Sequence, residues 1–263
     1  MRLSDHAVAL DHEPSRAAWI PAGAWRRHDP LTRLACTAID RLQQRERLGP
    51  DTALVLTTSY GAVHATKRFV DSMLSYGDKG ASPTPFTASV HNGSAGAIGQ
   101  LLDLHGPCTT LSQGGTGCLA ALRWAQLQLD AGRCDTVLLL AGECHSPWSS
   151  QVVSELSPSR WPIGSGMSAT VLRASGPGRV LRSGEHPAPR CLDGGGLGSS
   201  EARLARDAAA QQQLRSCAGD LLGAWWPTAT LAALPALLAA DEAIQLRERD
   251  GLDHLAWWCG PAV

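Results

Sequence analysis

The stretch between Cys108 and Leu119 is where this chain could do chemistry. A short strand, Cys108 to Ser112, feeds a glycine-rich bend, Gln113 to Gly117. A helix follows, in which Leu119, Leu122, Ala125, Gln126 and Leu129 recur at helical spacing. Such a bend exposes a side chain at a helix N-terminus, where free N–H groups and the helix dipole favour negative charge, so a nucleophile there is activated. Thr116 is the hydroxyl of the bend, and it needs a general base beside it. His91 or His145 would have to fold in to supply one. Cys118 is the nearest thiol. It is a nucleophile if exposed with a lowered pKa, and a packed small hydrophobe if the first helical turn is buried.

Other constellations carry less. Glu143, Cys144 and His145 are metal-ligand types, but their spacing matches no common zinc pattern, and a loop after a strand is the expectation. A hydrolase elbow, G-x-S-x-G, is absent from the sequence. Gly194 to Gly198 has the look of a phosphate loop, yet no apolar strand feeds it and no lysine follows it. It reads as a flexible linker into a helix capped at Ser199 or Ser200 and running to about Cys217.

The elements that must position these residues alternate. Val8, Leu10 and Trp19-Ile20 suggest short strand pieces. Asp29-Pro30 starts a helix, as N-cap and first helical residue. Its stripe is Leu31, Leu34, Ala35, Ala38, Ile39 and Leu42, and Gly49-Pro50 is its expected end. Asp51 to Thr58 is a buried strand. Gly61 opens a helix with Val63, Phe69, Val70 and Met73 inward. After a proline-containing loop, Gly77 to Pro85, Phe86 and Val90 begin a helix that includes Ile98, Leu101 and Leu102. Gly93, Gly96 and Gly99 in it weaken the helix and suit a close neighbour. Gly132 stops the helix after the bend, and Thr136 to Ala141 is an unbroken apolar strand of the kind covered on both faces. Residues 143 to 162 read as loop, and Met167 to Arg173 as strand. Ser175 to Pro189 is Gly/Pro-rich and marks a boundary. Leu231 to Ala240 is a helix kinked at Pro235, and Leu255 to Cys259 a closing strand. Helix–strand alternation of this kind implies a parallel α/β architecture.

The ordered run of Ser82-Pro83, Asn92, Gly106-Pro107, Thr110, Gly132, Asp135 and Ala141-Gly142-Glu143 resembles the N-terminal half of the β-ketoacyl synthases. Gly164 to Leu172 is similar to that family's glycine-rich turn and following strand. The resemblance covers roughly residues 50 to 175. It implies a thiolase-like fold, layered α-β-α-β-α, with the N-terminal half near complete in residues 1–175 and the C-terminal half abridged in 176–263. The family carries a cysteine nucleophile in the bend. Counted back from Leu119 or forward from Asn92, that position is Gly115, and glycine cannot form a thioester. None of the nine histidines (6, 12, 28, 64, 91, 105, 145, 186 and 254) stands in a His-Gly-Thr or Lys-x-x-x-Gly-His context. The segment Trp225 to Thr230 weakly resembles the Gly-His-Thr stretch, which puts Trp226 where a catalytic histidine would be.

The departure makes the chain similar to the non-condensing relatives. These are the chain-length factors that pair with an active ketosynthase, in particular the short ones of aryl-polyene pigment pathways. The resemblance implies a heterodimer joined through Cys108 to Ser112 and adjacent segments. Pro85, Phe86, His91, Gln113 and Thr116 would reach the interface and the tunnel end. His91-Asn92 reads equally as a helix-start pair that satisfies backbone donors. An acyl carrier protein is the further implied partner. The rival class is an autonomous acyltransferase or thioesterase using Cys118 or Thr116. A third reading is a scaffold that docks the carrier protein through surface arginines, Arg123 and Arg133, without shaping the tunnel.

Composition narrows the classes. Hydrophobic residues are 44% and charged residues 18%, which fits an ordinary globular protein. A net charge of -1 argues against a nucleic-acid surface. No apolar run reaches the roughly 18 residues a membrane helix needs. Acidic residues stand where a signal peptide has its apolar core, so a cytoplasmic protein is expected. The eight cysteines contain no C-x-x-C pair, and Cys36, Cys108 and Cys118 are expected as buried, reduced thiols. No cofactor or metal is expected.

Overall fold

Period-2 alternation assigns the two faces of the central sheet. In β2 (Ala53–Thr57) and β4 (Thr136–Glu143) every residue but Thr136 is buried. Ala53, Val55, Val137, Leu139 and Ala141 point to one face, and Leu54, Leu56, Leu138 and Leu140 to the other. A strand buried on both sides requires a helix on each. On the first face lies α6 (Gly117–Asp130), through Cys118, Leu119, Ala121, Leu122, Ala125 and Leu129. The second is covered by α2 (Pro30–Gln43) and α5 (Gly93–Leu101), through Leu34, Ala35, Ala38, Ile39, Leu42, Ala95 and Ile98.

The chain is described from a computed structural model, which covers residues 1–10, 15–113, 117–156, 165–184, 186, 188, 190–195, 243–250 and 253–262. Its other strands are β1 (Arg2–Leu10), β3 (Cys108–Leu111), β5 (Gly166–Arg173), β6 (Arg179–Ser183), β7 (Arg190–Gly195), β8 (Ile244–Asp250) and β9 (Asp253–Ala262). Among the described residues these form one sheet of nine strands, in the order β3-β2-β4-β5-β1-β6-β9-β8-β7. β2 is parallel to β3 and β4, as the α/β pattern requires, while β1, β5, β6 and β9 run antiparallel to their neighbours. α6 touches β2 and β4 near one end of this order and β8 and β9 near the other. The sheet therefore curls over α6, which makes α6 the central helical layer between two parts of the sheet, while α2 and α5 form an outer layer.

Several expectations hold. The side chain of Asp29 accepts from the N–H groups of Leu31 and Thr32, at 2.9 and 3.2 Å, and Pro30 opens α2. Gly132 ends the α6 turn at φ +63. The closing strand is present, and longer than the stretch Leu255 to Cys259.

Others are corrected. The first residues form one nine-residue strand, β1, in the sheet interior between β5 and β6, where short pieces were expected. A bulge between Leu3 and Asp5 shifts the side-chain alternation, which hides the strand period in the sequence. Trp19-Ile20 is a turn, with buried Ile20 donating its N–H to Ala17 O. α2 stops at Gln43, before Gly49-Pro50. There Arg45 pairs with Asp5 at 3.1 Å and Glu46 pairs with Arg173, and these contacts draw the chain onto the sheet. Phe86 and Val90 do not begin the helix of Ile98. They belong to a separate short helix, α4 (Pro83–Ser89), and the residue after it, and the turn before α5 is tight enough that a Cβ on Gly93 would lie 2.9 Å from Thr87 O. In α3 (Val63–Tyr76) Ala65 is the buried residue, and Val70 is exposed, contrary to the inward stripe expected. The loop expected over 143 to 162 contains α7 (Pro147–Leu156), which Ser146 caps through Ser149 N–H at 3.2 Å. The Gly/Pro-rich stretch Ser175 to Pro189 contains β6, and Gly194-Gly195 belong to β7 rather than to a linker. Cys108 is exposed because β3 is the sheet edge. The helix expected from Ser199 or Ser200, the kinked helix Leu231 to Ala240 and the register at Trp226 lie outside the described residues.

Candidate functional site

The carboxyl ends of three parallel strands, β2, β3 and β4, meet beside the bend. In open α/β sheets this is where ligands and reacting groups gather. Glu143 is the centre of the cluster. It is the last residue of β4 and 3 % exposed. Thr58 Oγ1 donates to its Oε2 at 2.8 Å, Tyr60 N–H to the same oxygen at 3.3 Å, and Ser59 N–H to Oε1. The Thr58 hydroxyl also accepts from Gly61 N–H at 3.1 Å. One carboxyl group thus ties down the whole turn between β2 and α3. Burial pushes the Glu143 pKa up to about 7, opposed by hydrogen bonds from Ser59, Thr58 and Tyr60. The Tyr60 phenol is pushed up to about 12 by burial and by Glu143, and its ring meets His145 edge-on at 5.4 Å.

Gly61 needs its glycine. It sits at φ +59, and an added Cβ would lie 3.2 Å from His91 Nδ1 and 3.9 Å from Ser112 Oγ. The structure therefore brings His91 and the end of β3 to this turn, with exposed Gln113 next along the chain. At the helix after the bend, a Cβ on Gly117 would come within 2.6 Å of Thr57 Oγ1.

Gly115 and Thr116 lie outside the described residues. Cys118 is 1 % exposed, within the core cluster on α6, so burial seals this thiol from any substrate. Pro85 is buried on α4, and Phe86 is 51 % exposed with its ring 5.2 Å from that of Phe69. With Val70, Leu74, Tyr76 and Val90, all exposed, Phe86 makes α3 and α4 an apolar arm that packs mainly on itself. Arg123 and Arg133 are exposed. The concentration of positive charge is elsewhere. Arg26, Arg27, Arg33 and Arg68, with His28 and His64, line a cleft of about 360 Å3 whose one acid, Asp29, caps α2. Burial lowers the pKa of both histidines, and neighbouring arginines push the same way. Among the described residues no three His, Cys, Asp or Glu side chains gather as metal ligands, and no helix is long and apolar enough to cross a membrane.

The sequence singles out Glu143 only as a metal-ligand type beside Cys144 and His145; its role in holding the turn is not visible there because its donors come from Thr58 to Tyr60, more than eighty positions away. A usable signal was the acid itself, ending a strand of otherwise uncharged residues.

The family model of the β-ketoacyl synthase N-terminal domain matches residues 3–190. The chain belongs to this family. No curated protein matches it. Among solved structures, it is similar to the ishigamide ketosynthase/chain length factor, with TM-score 0.71 and 16% identity over 100% of this chain and 99% of that one. It is also similar to a ketosynthase (ApeO) in complex with its chain length factor (ApeC) from Xenorhabdus doucetiae, with TM-score 0.60 and 16% identity over 99% of both chains. A third is AntDE:AntF, a type II acyl-carrier protein in complex with its ketosynthase, with TM-score 0.72 and 12% identity over 100% of both chains. The fold of this β-ketoacyl synthase family member is thus thiolase-like.

Proposed function

We propose that this chain is a non-catalytic, chain-length-factor-like subunit. It pairs with an active β-ketoacyl-carrier-protein synthase and shapes the acyl tunnel in polyketide or polyene biosynthesis, working in the cytoplasm. The observation that carries this reading is the bend. Glycine, Gly115, stands at the family's nucleophile position, and the nearest thiol, Cys118, is sealed in the core. The relatives named as ketosynthase and chain length factor complexes support it. So does the apolar α3–α4 arm, since an exposed patch rich in large hydrophobic side chains marks an interaction surface. Pro85, Phe86, His91, Gln113 and Thr116 are assigned to the tunnel end and interface. A packed side chain there ends the tunnel by steric exclusion, because packed interiors resist added methylenes. The acyl carrier is assigned to the arginine cleft at Arg26, Arg27, Arg33 and Arg68, whose charge complements an acidic partner.

The test is native mass spectrometry of this chain co-expressed with a ketosynthase encoded beside it, against the chain alone. A 1:1 heterodimer is expected. A monomer or homodimer with no affinity for the ketosynthase refutes the reading. A covalent acyl adduct on the lone chain, lost in Cys118→Ala, would support an autonomous acyltransferase or thioesterase in its place.

A further inference from the structure

Arg26, Arg27, Arg33 and Arg68 stand around one cleft, and among the described residues none of the four is in a salt bridge. Arginine stays charged at every accessible pH. The one carboxylate of the wall, Asp29, is already engaged. Its Oδ1 accepts the N–H groups of Leu31 and Thr32, and its Oδ2 the hydroxyls of Thr32 and Ser94. The cleft therefore holds a local excess of positive charge in a chain whose net charge is -1.

Arg33 is built into this wall. Its Nε donates to His28 O at 2.8 Å and its Nη2 to Arg26 O at 3.0 Å, and its Cζ lies 6.0 Å from the centre of the Trp25 ring. These contacts fix the guanidinium and leave Nη1 with no hydrogen bond among the described residues. A group fixed before binding loses little side-chain entropy when a ligand arrives.

We propose that this cleft is a phosphate site: it takes a phosphate ester, with Arg33 as the fixed anchor and Arg26, Arg27 and Arg68 neutralising the rest of its charge. This goes beyond the carrier assignment above, which names an acidic partner and no group that enters the cleft.

Shape favours a small anion over an acidic helix. The cleft encloses about 360 Å3, at the small end of ligand sites, whereas a helix with its side chains is about 10 Å across. A projecting phosphate enters where a helix rests on the rim. The chemistry agrees. Arginine forks place two N–H groups on two phosphate oxygens. A phosphate monoester carries about −1.5 to −2 charges near pH 7, so it offsets more of the arginine charge than one carboxylate does. Pro30, Ala65, Pro85 and Ala88 make part of the wall apolar, and a drier wall strengthens each ion pair. Inward the space pinches off. The next cavity, bounded by Gly61 and Cys144, encloses about 10 Å3, room for about one water. The cleft is thus a holding site and not a route to the bend.

The phosphate has two possible sources, the prosthetic arm of a carrier protein and a free phosphorylated small molecule. The experiment titrates the full chain, co-purified with its ketosynthase where the two associate, with inorganic pyrophosphate and with citrate at matched ionic strength, by calorimetry. Saturable binding of one pyrophosphate per chain is expected, tighter than citrate. Arg33→Lys keeps the charge and loses the fork, and Arg68→Gln removes an exposed side chain of α3 that hydrogen-bonds to nothing among the described residues; each is expected to weaken pyrophosphate about tenfold. Lys79→Gln, exposed and outside the cleft, is expected to change nothing. A second arm titrates carrier protein with and without its phosphate-linked arm. Tighter binding of the armed carrier, with pyrophosphate competing, assigns the phosphate to the carrier. A pyrophosphate site that neither carrier form competes for assigns it to a free small molecule, and removes the carrier from the cleft while this inference stands. Pyrophosphate that binds no better than citrate, or equally to wild type and Arg68→Gln, overturns the inference even if Arg33→Lys does not fold. Equal binding of both carrier forms without a pyrophosphate site overturns it too, and leaves the carrier assignment intact.

Discussion

Replacing Glu143 by Gln should change how the stability of the chain responds to acid, and the size of the change can be worked out. The folded pKa of Glu143 is about 7 against a reference of 4.5. Folding therefore takes up a proton between those values, and this group's contribution to stability falls as pH rises through the window. At about 1.4 kcal/mol per pH unit, the contribution differs by about 3 kcal/mol between pH 4.5 and pH 7. His6 acts in the opposite sense. It is buried on β1, its Nδ1 lies 2.8 Å from Thr170 Oγ1, and burial lowers its pKa from 6.5 to about 3. Folding must expel its proton, so stability falls as pH drops below 6.5. From 6.5 to 4.5 the two slopes cancel, one proton against one. Below 4.5 His6 is unopposed.

Wild type should thus hold its stability between pH 6.5 and 4.5, apart from the remaining groups common to both proteins, and then lose it. Glu143→Gln, with only the His6 slope, should decline across the whole range. The assay is urea unfolding of both proteins at half-unit pH steps, with ΔG from the linear slope. The quantity to follow is the difference between them, in which shared groups drop out. A growth of about 3 kcal/mol in favour of wild type from pH 7 to pH 4.5 is expected. A difference independent of pH would refute the assignment of a displaced titration to Glu143.

Phe86→Ala is expected to lengthen the acyl product of the heterodimer, read by mass spectrometry of carrier-bound intermediates; an unchanged distribution from a stable complex removes Phe86 from the tunnel end. Charge reversal at Arg26, Arg27 and Arg68 should slow turnover by weakening carrier binding, with product length unchanged, and the same change at Arg123 and Arg133 should have little effect; equal effects would refute the cleft as the docking site. Asp29→Ala removes the cap of α2 and should cost about 1 kcal/mol by urea unfolding.

What the sequence determined by itself is local. Asp29-Pro30 starts α2 because a capping carboxylate and a fixed φ act within one turn. The apolar stripe of α6 and the unbroken run in β4 announce elements that must be covered, so helices on both faces follow before any coordinates. The glycine at position 115, where the family carries its cysteine, is equally a matter of register along the chain. Tertiary structure decided what depends on distant partners. β1 carries Arg2, Asp5 and His6 and shows no clean period, and it is a strand because β5 and β6 pair with it across more than 150 positions. The apolar residues of α3 look like a core stripe in sequence, but Val70 and Leu74 are exposed and Phe69 packs on Phe86 of α4 rather than on the sheet. Glu143 looks like the start of a loop. Only the parallel pairing of β2 with β4 places its carboxyl under the donors of Thr58, Ser59 and Tyr60, and only burial in that position moves its proton affinity toward neutral pH.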